Sequence, residues 1–191
     1  MVVLAGGKSR RIGSDKAFLG FKGRPFVRVV TDEMLKISEE VLVVIGRKDR
    51  REFERVLDSR AKVVNDNFDV DNPVNGIVSG CQHASRPYAA FLACDTPMAK
   101  SEAVSFLHAL ALDHSAAVPI WETGELEPLC AVYRTSDIMR IGFDVMMQEN
   151  PSCKALISRL SDVNYVEIRR LKVVDPEYLG LGPKIHAPAG I

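Results

Sequence analysis

This chain has no long apolar run: nothing in it approaches the roughly 18 residues that a membrane-spanning helix needs. Its four cysteines, Cys81, Cys94, Cys130 and Cys153, form no C-x-x-C pair. That excludes zinc-ribbon spacing and the dense disulfide framework of a small secreted fold. There is no excess of one charge, because 25 Lys+Arg face 25 Asp+Glu. No overall field therefore draws the chain to nucleic acid or to anionic lipid, and any basic patch must be local. The histidines His83, His108, His114 and His186 show no H-x-x-x-H spacing and read as surface or satisfied helix residues rather than ligands. A G-x-S-x-G nucleophile elbow is missing. The opening residues carry no basic region ahead of their apolar run, so a signal peptide is not expected. These absences lead to the expectation of a soluble, cytoplasmic protein with neither a nucleic-acid nor a membrane partner.

What is present is ordinary globular material: 191 residues, 47% hydrophobic and 26% charged. A chain of this size buries roughly 70% of its unfolded surface and needs no staples. Short aliphatic runs at Val2–Leu4, Val41–Ile45, Lys62–Val64, Tyr88–Ala93, Ala116–Pro119, Leu129–Tyr133 and Val163–Ile168 read as strands. Several are apolar throughout, as strands covered on both faces of a mainly parallel sheet are. Helical patterns lie between them. One runs from Pro25 to about Lys36 with a stripe of Val29, Val30, Met34 and Leu35, and another spans about Asp49–Leu57. A third begins near Asn75, and a fourth at Ser101 sets Val104, Leu107, His108 and Ala111 on one face. Thr135 and Ser152 read as N-caps, and Asp175-Pro176-Glu177 as the start of a last short helix. The alternation predicts an α/β fold, a three-layer α/β/α sandwich. Trp121–Glu125 joins two strand-like runs through a glycine turn and predicts one antiparallel hairpin in that sheet. Residues 1–179 read as a single domain and 180–191, rich in Gly and Pro, as a tail. Nothing in the pattern tells an oligomer from a monomer.

Open α/β sheets bind ligands beyond the carboxyl ends of their strands. After the first strand comes Leu4-Ala5-Gly6-Gly7-Lys8-Ser9-Arg10-Arg11-Ile12-Gly13-Ser14-Asp15-Lys16. Adjacent glycines let backbone N–H groups close on an anion. The cations Lys8, Arg10, Arg11 and Lys16 against the single acid Asp15 make this the best phosphate-site candidate. It is neither a P-loop, since Lys8 directly follows the glycine pair, nor a G-x-G-x-x-G fingerprint. An exposed basic turn is the plainer alternative. Cys94-Asp95-Thr96-Pro97 follows the apolar run Tyr88–Ala93, and an Asp released there can hold Mg²⁺ or simply form an Asx-turn that caps the next helix. Asp66, after Val63-Val64-Asn65, is a second carboxylate that could equally cap a turn. Gly76–Gly80 follows an acidic loop (Asp69, Asp71, Pro73) and reads either as close approach to a ligand or as helix–sheet packing.

In that order these segments resemble the MobA-like nucleotidyltransferases, the family typified by molybdenum cofactor guanylyltransferase. Residues Leu4 to Lys16 are similar to its L-A-G-G-x-S-x-R-M-G-x-D-K signature almost position by position. Asp66 falls where the family carries an Asp after its third strand, and Gly76–Gly80 resembles its G-P-L-x-G segment. Asp95-Thr96-Pro97 matches D-T-P, and Glu127–Tyr133 resembles H-P-L-F-A-L-Y. The likeness covers about residues 2–135. It departs where Val43-Val44-Ile45-Gly46 lacks a family Asn, where Ile77 and Glu127 replace a Pro and a His, and where Leu171–Leu179 replaces N-x-N-T-P-E-D-L.

The resemblance implies a Rossmann-like fold and an Mg²⁺-dependent transfer of GMP from GTP to the phosphate of molybdopterin, with release of pyrophosphate. It implies that Leu4, Ala5, Gly6 and Gly7 bind the nucleotide, that Lys16 neutralises the triphosphate with help from Arg11, and that Asp66 lies near the nucleotide. Asp95 would hold the Mg²⁺. Lys16, Asp95 and Arg11 would then be the catalytic set. The departures leave two other expectations standing: CMP or GMP transfer to another phosphorylated acceptor (a pterin, an isoprenoid precursor, a cobinamide), or a nucleotide-binding module without catalysis.

Overall fold

The computed structural model describes residues 1–7 and 15–176. A seven-stranded sheet forms its middle layer: β1 (Val2–Leu4), β4 (Val41–Val44), β5 (Ala61–Val64), β6 (Tyr88–Ala93), β7 (Ala116–Ile120), β8 (Val132–Arg134) and β9 (Val163–Glu167). Their spatial order is β5-β4-β1-β6-β8-β7-β9. Strands β5, β4, β1 and β6 are mutually parallel, β9 runs parallel to β7, and β8 is antiparallel to both β6 and β7. Two short strands, β2 (Gly20–Phe21) and β3 (Arg24–Pro25), form a separate hairpin. Its turn residues Lys22 and Gly23 both have positive φ, 50° and 77°, as a tight two-residue hairpin requires.

The register decides which side chains share a layer. Val3 sits beside Val43 and Leu92, and all three face one core with Val27, Val30 and Met34 of α1 (Phe26–Met34) and Phe53 of α2 (Arg50–Val56). Helices α4 (Ser101–Ala111) and α7 (Ile168–Leu171) complete that side with Val104, Leu107 and Leu171. One residue earlier in each strand, Val2, Leu42 and Phe91 face the opposite core. There they meet α3 (Pro73–His83), α5 (Thr135–Met146) and α6 (Cys153–Ser158) through Ile77, Ile138 and Leu156. Strands covered on both faces must be apolar at every position, which is why they read as unbroken aliphatic runs. The predicted three-layer sandwich is the observed one.

Several details differ from the sequence expectations. Thr135 is the first residue of α5 rather than its cap: Arg134 occupies the cap, and the Thr135 hydroxyl donates to the carbonyls of Arg86 and Pro87. Ser152 does cap α6, accepting from the Ala155 amide at 3.1 Å. The buried stripe of α1 is Phe26, Val27, Val30, Thr31 and Met34, shifted from the predicted one because Pro25 stands at the cap and the helix enters facing the sheet. His108 is exposed beside the Tyr88 ring, and Ala103 takes its place on the buried face of α4. Residues 129–131 precede β8 rather than belonging to it. The antiparallel hairpin is present as β7–β8. Its turn is closed by Gly124 N–H on the Trp121 carbonyl at 2.8 Å and by the bridge Ile120↔Leu126. Asp175 and Pro176 are not helical, and residues 177–191, with the expected tail, lie outside the described residues.

Candidate active site

The chain leaves β1 at the centre of the parallel half, fills the positions on one side with β4 and β5, then crosses to the other side with β6. Crevices at such a reversal open at the strands' carboxyl ends. A cleft of about 330 Å³ lies there, and the turns after β1, β4, β5 and β6 all contribute to it. Leu4, Ala5, Gly6 and Gly7 line it, as do Lys16, Asp66 and Asp95. The residues singled out from sequence within the described part therefore converge on one site. Arg11 lies outside the described residues.

Each side chain is placed by its own turn. Asp15 caps a single 3₁₀ turn, Lys16–Phe18, by accepting from the Ala17 amide at 3.1 Å, and Lys16 opens that turn. Lys16 Nζ reaches Asp95 Oδ2 at 3.3 Å, with the two side chains 34% and 23% exposed. Such half-solvated pairs contribute little net stability, so their partners can be exchanged. Asp95 does not cap α4, whose N-cap Lys100 makes no side-chain cap bond and whose Ser101 amide donates instead to Glu33. The turn is closed by Thr96, whose hydroxyl donates to the Ala93 carbonyl at 2.7 Å, and Asp95 is left facing the cleft.

Asp66 is held differently. Its Oδ2 accepts from Asn75 Nδ2 at 3.1 Å, while its Oδ1 is buried without a hydrogen-bond partner. Burial pushes its carboxyl above the usual Asp range. Asn75, on α3 and 1% exposed, also donates to the Phe68 and Val70 carbonyls at 2.9 Å each, and Ser79 donates to its Oδ1. This buried amide fixes the loop between β5 and α3. Asp66 is thus not a turn cap. Gly76 and Gly80 serve packing: an added Cβ would stand 3.1 Å from the Leu4 side chain at Gly76 and 2.7 Å from Phe91 at Gly80. Gly76 also lines the cleft. Gly6 and Gly46 cross so closely that a Cβ on Gly6 would lie 2.8 Å from the Gly46 nitrogen. Gly46 adopts φ +66°, so both positions require glycine.

Three contributors went unread in the sequence: Lys48, Asn72 and Asn75. Lys48 and Asn72 line the cleft, and Asn72 caps α3 by accepting from the Asn75 amide at 3.1 Å. No local signal marked Lys48: Arg47 comes sooner after β4, and the partners of Lys48, Ala5 and Asp15, lie far away in the chain. Cys94 also lines the cleft, but burial pushes its thiol up to about 12, which leaves it protonated and a poor nucleophile. Among the described residues no three His, Cys, Asp or Glu side chains gather as a metal cage. Adjacent glycines, the half-exposed Lys16–Asp95 pair and a second carboxylate, Asp66, are suited to gripping a polyphosphate, with no covalent intermediate on the protein.

The family model of the MobA-like NTP transferase domain matches residues 1–161. The chain belongs to that family. It is 30% identical over 183 residues to a probable molybdenum cofactor guanylyltransferase of Methanosarcina acetivorans, covering 92% of this chain and 81% of the other. A second relative of that name, from Natronomonas pharaonis, is 32% identical over 91% of this chain and 85% of its own. The fold is shared with the molybdopterin-guanine dinucleotide biosynthesis protein A of Archaeoglobus fulgidus, with a TM-score of 0.79 at 24% identity over 98% and 92% of the two chains. This MobA-like chain is a nucleotidyltransferase. Among its described residues no helix is long and apolar enough to cross a membrane.

Proposed function

We propose that this chain transfers GMP from GTP to the phosphate of molybdopterin or of the molybdenum cofactor, in the cytoplasm, with release of pyrophosphate. The names of its relatives support the substrates. The observation that carries the chemistry is the Lys16–Asp95 pair at the mouth of the glycine loop. In this reading an oxygen of the acceptor phosphate attacks the α-phosphorus, the bond from that phosphorus to the β-bridging oxygen breaks, and its electron pair leaves with pyrophosphate. The acceptor phosphate is already ionised, so no general base is required.

Backbone groups of Leu4 to Gly7 receive the nucleotide, and Asp66 lies beside it. Lys16 gives up Asp95 for the triphosphate and stabilises the charge gathering on the leaving pyrophosphate. Arg11 is the second cation of the signature. The donor set fits Mg²⁺: Asp95 offers an oxygen ligand beside a cation that can be displaced, and one carboxylate suffices for an ion that keeps waters and substrate phosphates as its other ligands. Bound there, the ion would neutralise phosphate charge.

The test is product analysis with molybdopterin and each of GTP, CTP, ATP and UTP, with and without Mg²⁺. A dinucleotide and stoichiometric pyrophosphate from GTP alone, dependent on Mg²⁺, is the expected result. Preference for CTP, or transfer only to another phosphorylated acceptor, would replace these substrates with CMP transfer or a different acceptor.

A further inference from the structure

Lys48 belongs to no motif, yet its side chain joins two separate segments of the site. It stands in the turn after β4, and its ammonium donates to the Ala5 carbonyl at 2.5 Å and to both carboxylate oxygens of Asp15 at 2.8 and 2.7 Å. Ala5 lies before the glycine pair and Asp15 immediately before Lys16. One cation therefore touches both stems of the loop that leaves β1. Its own turn is braced in the same way: Asn65, after β5, donates from Nδ2 to the Gly46 and Lys48 carbonyls at 3.1 and 3.3 Å. The braces follow the sheet order, β5 to β4 to β1, and the Gly6–Gly46 crossing brings the two backbones close enough for them to close.

We propose that Lys48 is a positioning residue for nucleotidyl transfer: it clips the stems of the glycine loop through Ala5 and Asp15, and so sets where Lys16 stands. Asp15 transmits the effect, because the same carboxylate that accepts from Lys48 also caps the turn beginning at Lys16. Lys48 spends its three protons on the protein, and its charge is matched by Asp15, so it holds the loop rather than the phosphates. The kinetic part of this inference rests on the nucleotidyl-transfer reading above.

Lys48→Met keeps the aliphatic stem and removes the clip. The expected result is a fall in kcat of about tenfold to a hundredfold with a rise in nucleotide KM of less than about threefold, since misalignment of Lys16 matters most where charge develops. Lys48→Arg, which keeps a pair with Asp15, recovers most of that loss. Asp15→Asn lowers kcat as Lys48→Met does, and the double variant is no worse than either single one. Independently of activity, hydrogen exchange over residues 15–19 is about tenfold faster in Lys48→Met than in wild type, with the exchange of α4 unchanged. Unchanged kcat in Lys48→Met, whatever the exchange shows, overturns the proposal. So does a Lys48→Met effect that Asp15→Asn fails to reproduce, since Lys48 would then act on the nucleotide itself. If the wild-type chain transfers no nucleotidyl group to any acceptor, the functional reading fails by itself. The clip is then decided by exchange alone: faster exchange over residues 15–19 in both Lys48→Met and Asp15→Asn supports it, and unchanged exchange in either overturns it.

Discussion

On one wall of the cleft the working side chains are cations held at the surface by carboxylates, Lys16 by Asp95 and Lys48 by Asp15. The other wall is carried by one buried amide and a carboxylate, with Asn75 donating to three oxygens behind it and Asp66 keeping one oxygen without a partner. Of the two cation pairs Lys16–Asp95 is built to exchange partners: a half-exposed ion pair is cheap to open, and an incoming phosphate can take the place of its carboxylate, while Lys48–Asp15 holds the loop. The amide wall is built to stay still, because an unmade bond to a buried carbonyl costs far more than a solvated one. Substitutions should therefore separate the walls, with activity lost on one and stability on the other.

The largest effect belongs to the cation wall. Lys16→Ala and Asp95→Ala should each lower kcat by about two to three orders of magnitude while leaving the melting temperature within about 2 °C of wild type. Steady-state kinetics beside a thermal melt checks both halves. Substantial turnover in either variant would remove that residue from the catalytic set.

Asn75→Ala should do the reverse. Orphaning the Phe68 and Val70 carbonyls and Asp66 costs about 2–3 kcal/mol, a fall in melting temperature of about 5–10 °C for a domain of this size. Turnover per folded molecule at saturating nucleotide should change much less than in Lys16→Ala. Equal losses of kcat in the two variants would erase the distinction between the walls.

The pH dependence gives a third, smaller test. Asp66 has its carboxyl raised above the ordinary value of 3.8 by burial. The folded state then binds that proton more tightly than the unfolded chain, so the Asp66 contribution favours folding at acid pH and is lost as pH rises from the ordinary range through the raised value. At neutral pH the buried carboxylate is a net cost. Asp66→Asn should therefore raise the melting temperature at pH 7, by an amount that shrinks toward pH 4, while weakening nucleotide binding. Wild type and variant melted across that range check the sign.

How much of this was legible beforehand follows from what kind of contact each residue makes. The sheet was readable because β1, β4 and β6 are buried on both faces and so apolar throughout. Asp95 and the cation-rich loop that ends at Lys16 were readable because they follow strands, where an α/β sheet places its ligands. Asp66 reads equally as a turn cap, and its place beside the nucleotide, like the choice of Lys16 among four cations, comes from the resemblance to the family. Lys48 was not readable, because its partners Ala5 and Asp15 lie 43 and 33 residues away and no local pattern records that meeting. Asn75 was hidden for a different reason: a single buried amide in an otherwise apolar helix looks like a surface position until its three acceptors are seen. Thr135 misled because a Thr ahead of an apolar periodic run fits a cap, yet its hydroxyl is spent on the carbonyls of Arg86 and Pro87 in the distant turn before β6.

The smallest effect sharpens the comparison most finely. Arg47 and Asp69 pair across the same two loops that Lys48 and Asn75 hold, but their side chains are 71% and 80% exposed. Both are strongly solvated, each loses side-chain entropy on pairing, and salt screens what remains, so the bond is worth about 0–1 kcal/mol. Arg47→Ala should therefore leave kcat unchanged and move the melting temperature by no more than about 2 °C, most visibly at low ionic strength. Solvation would then decide what a contact is worth: an exposed pair contributes little, while a buried amide a few residues away is required for stability. Should Arg47→Ala instead cost as much activity as Lys48→Met, closure of the two loops, rather than the clip at Asp15, would be what sets the position of Lys16. The two variants assayed side by side at 50 and 200 mM salt decide between these outcomes.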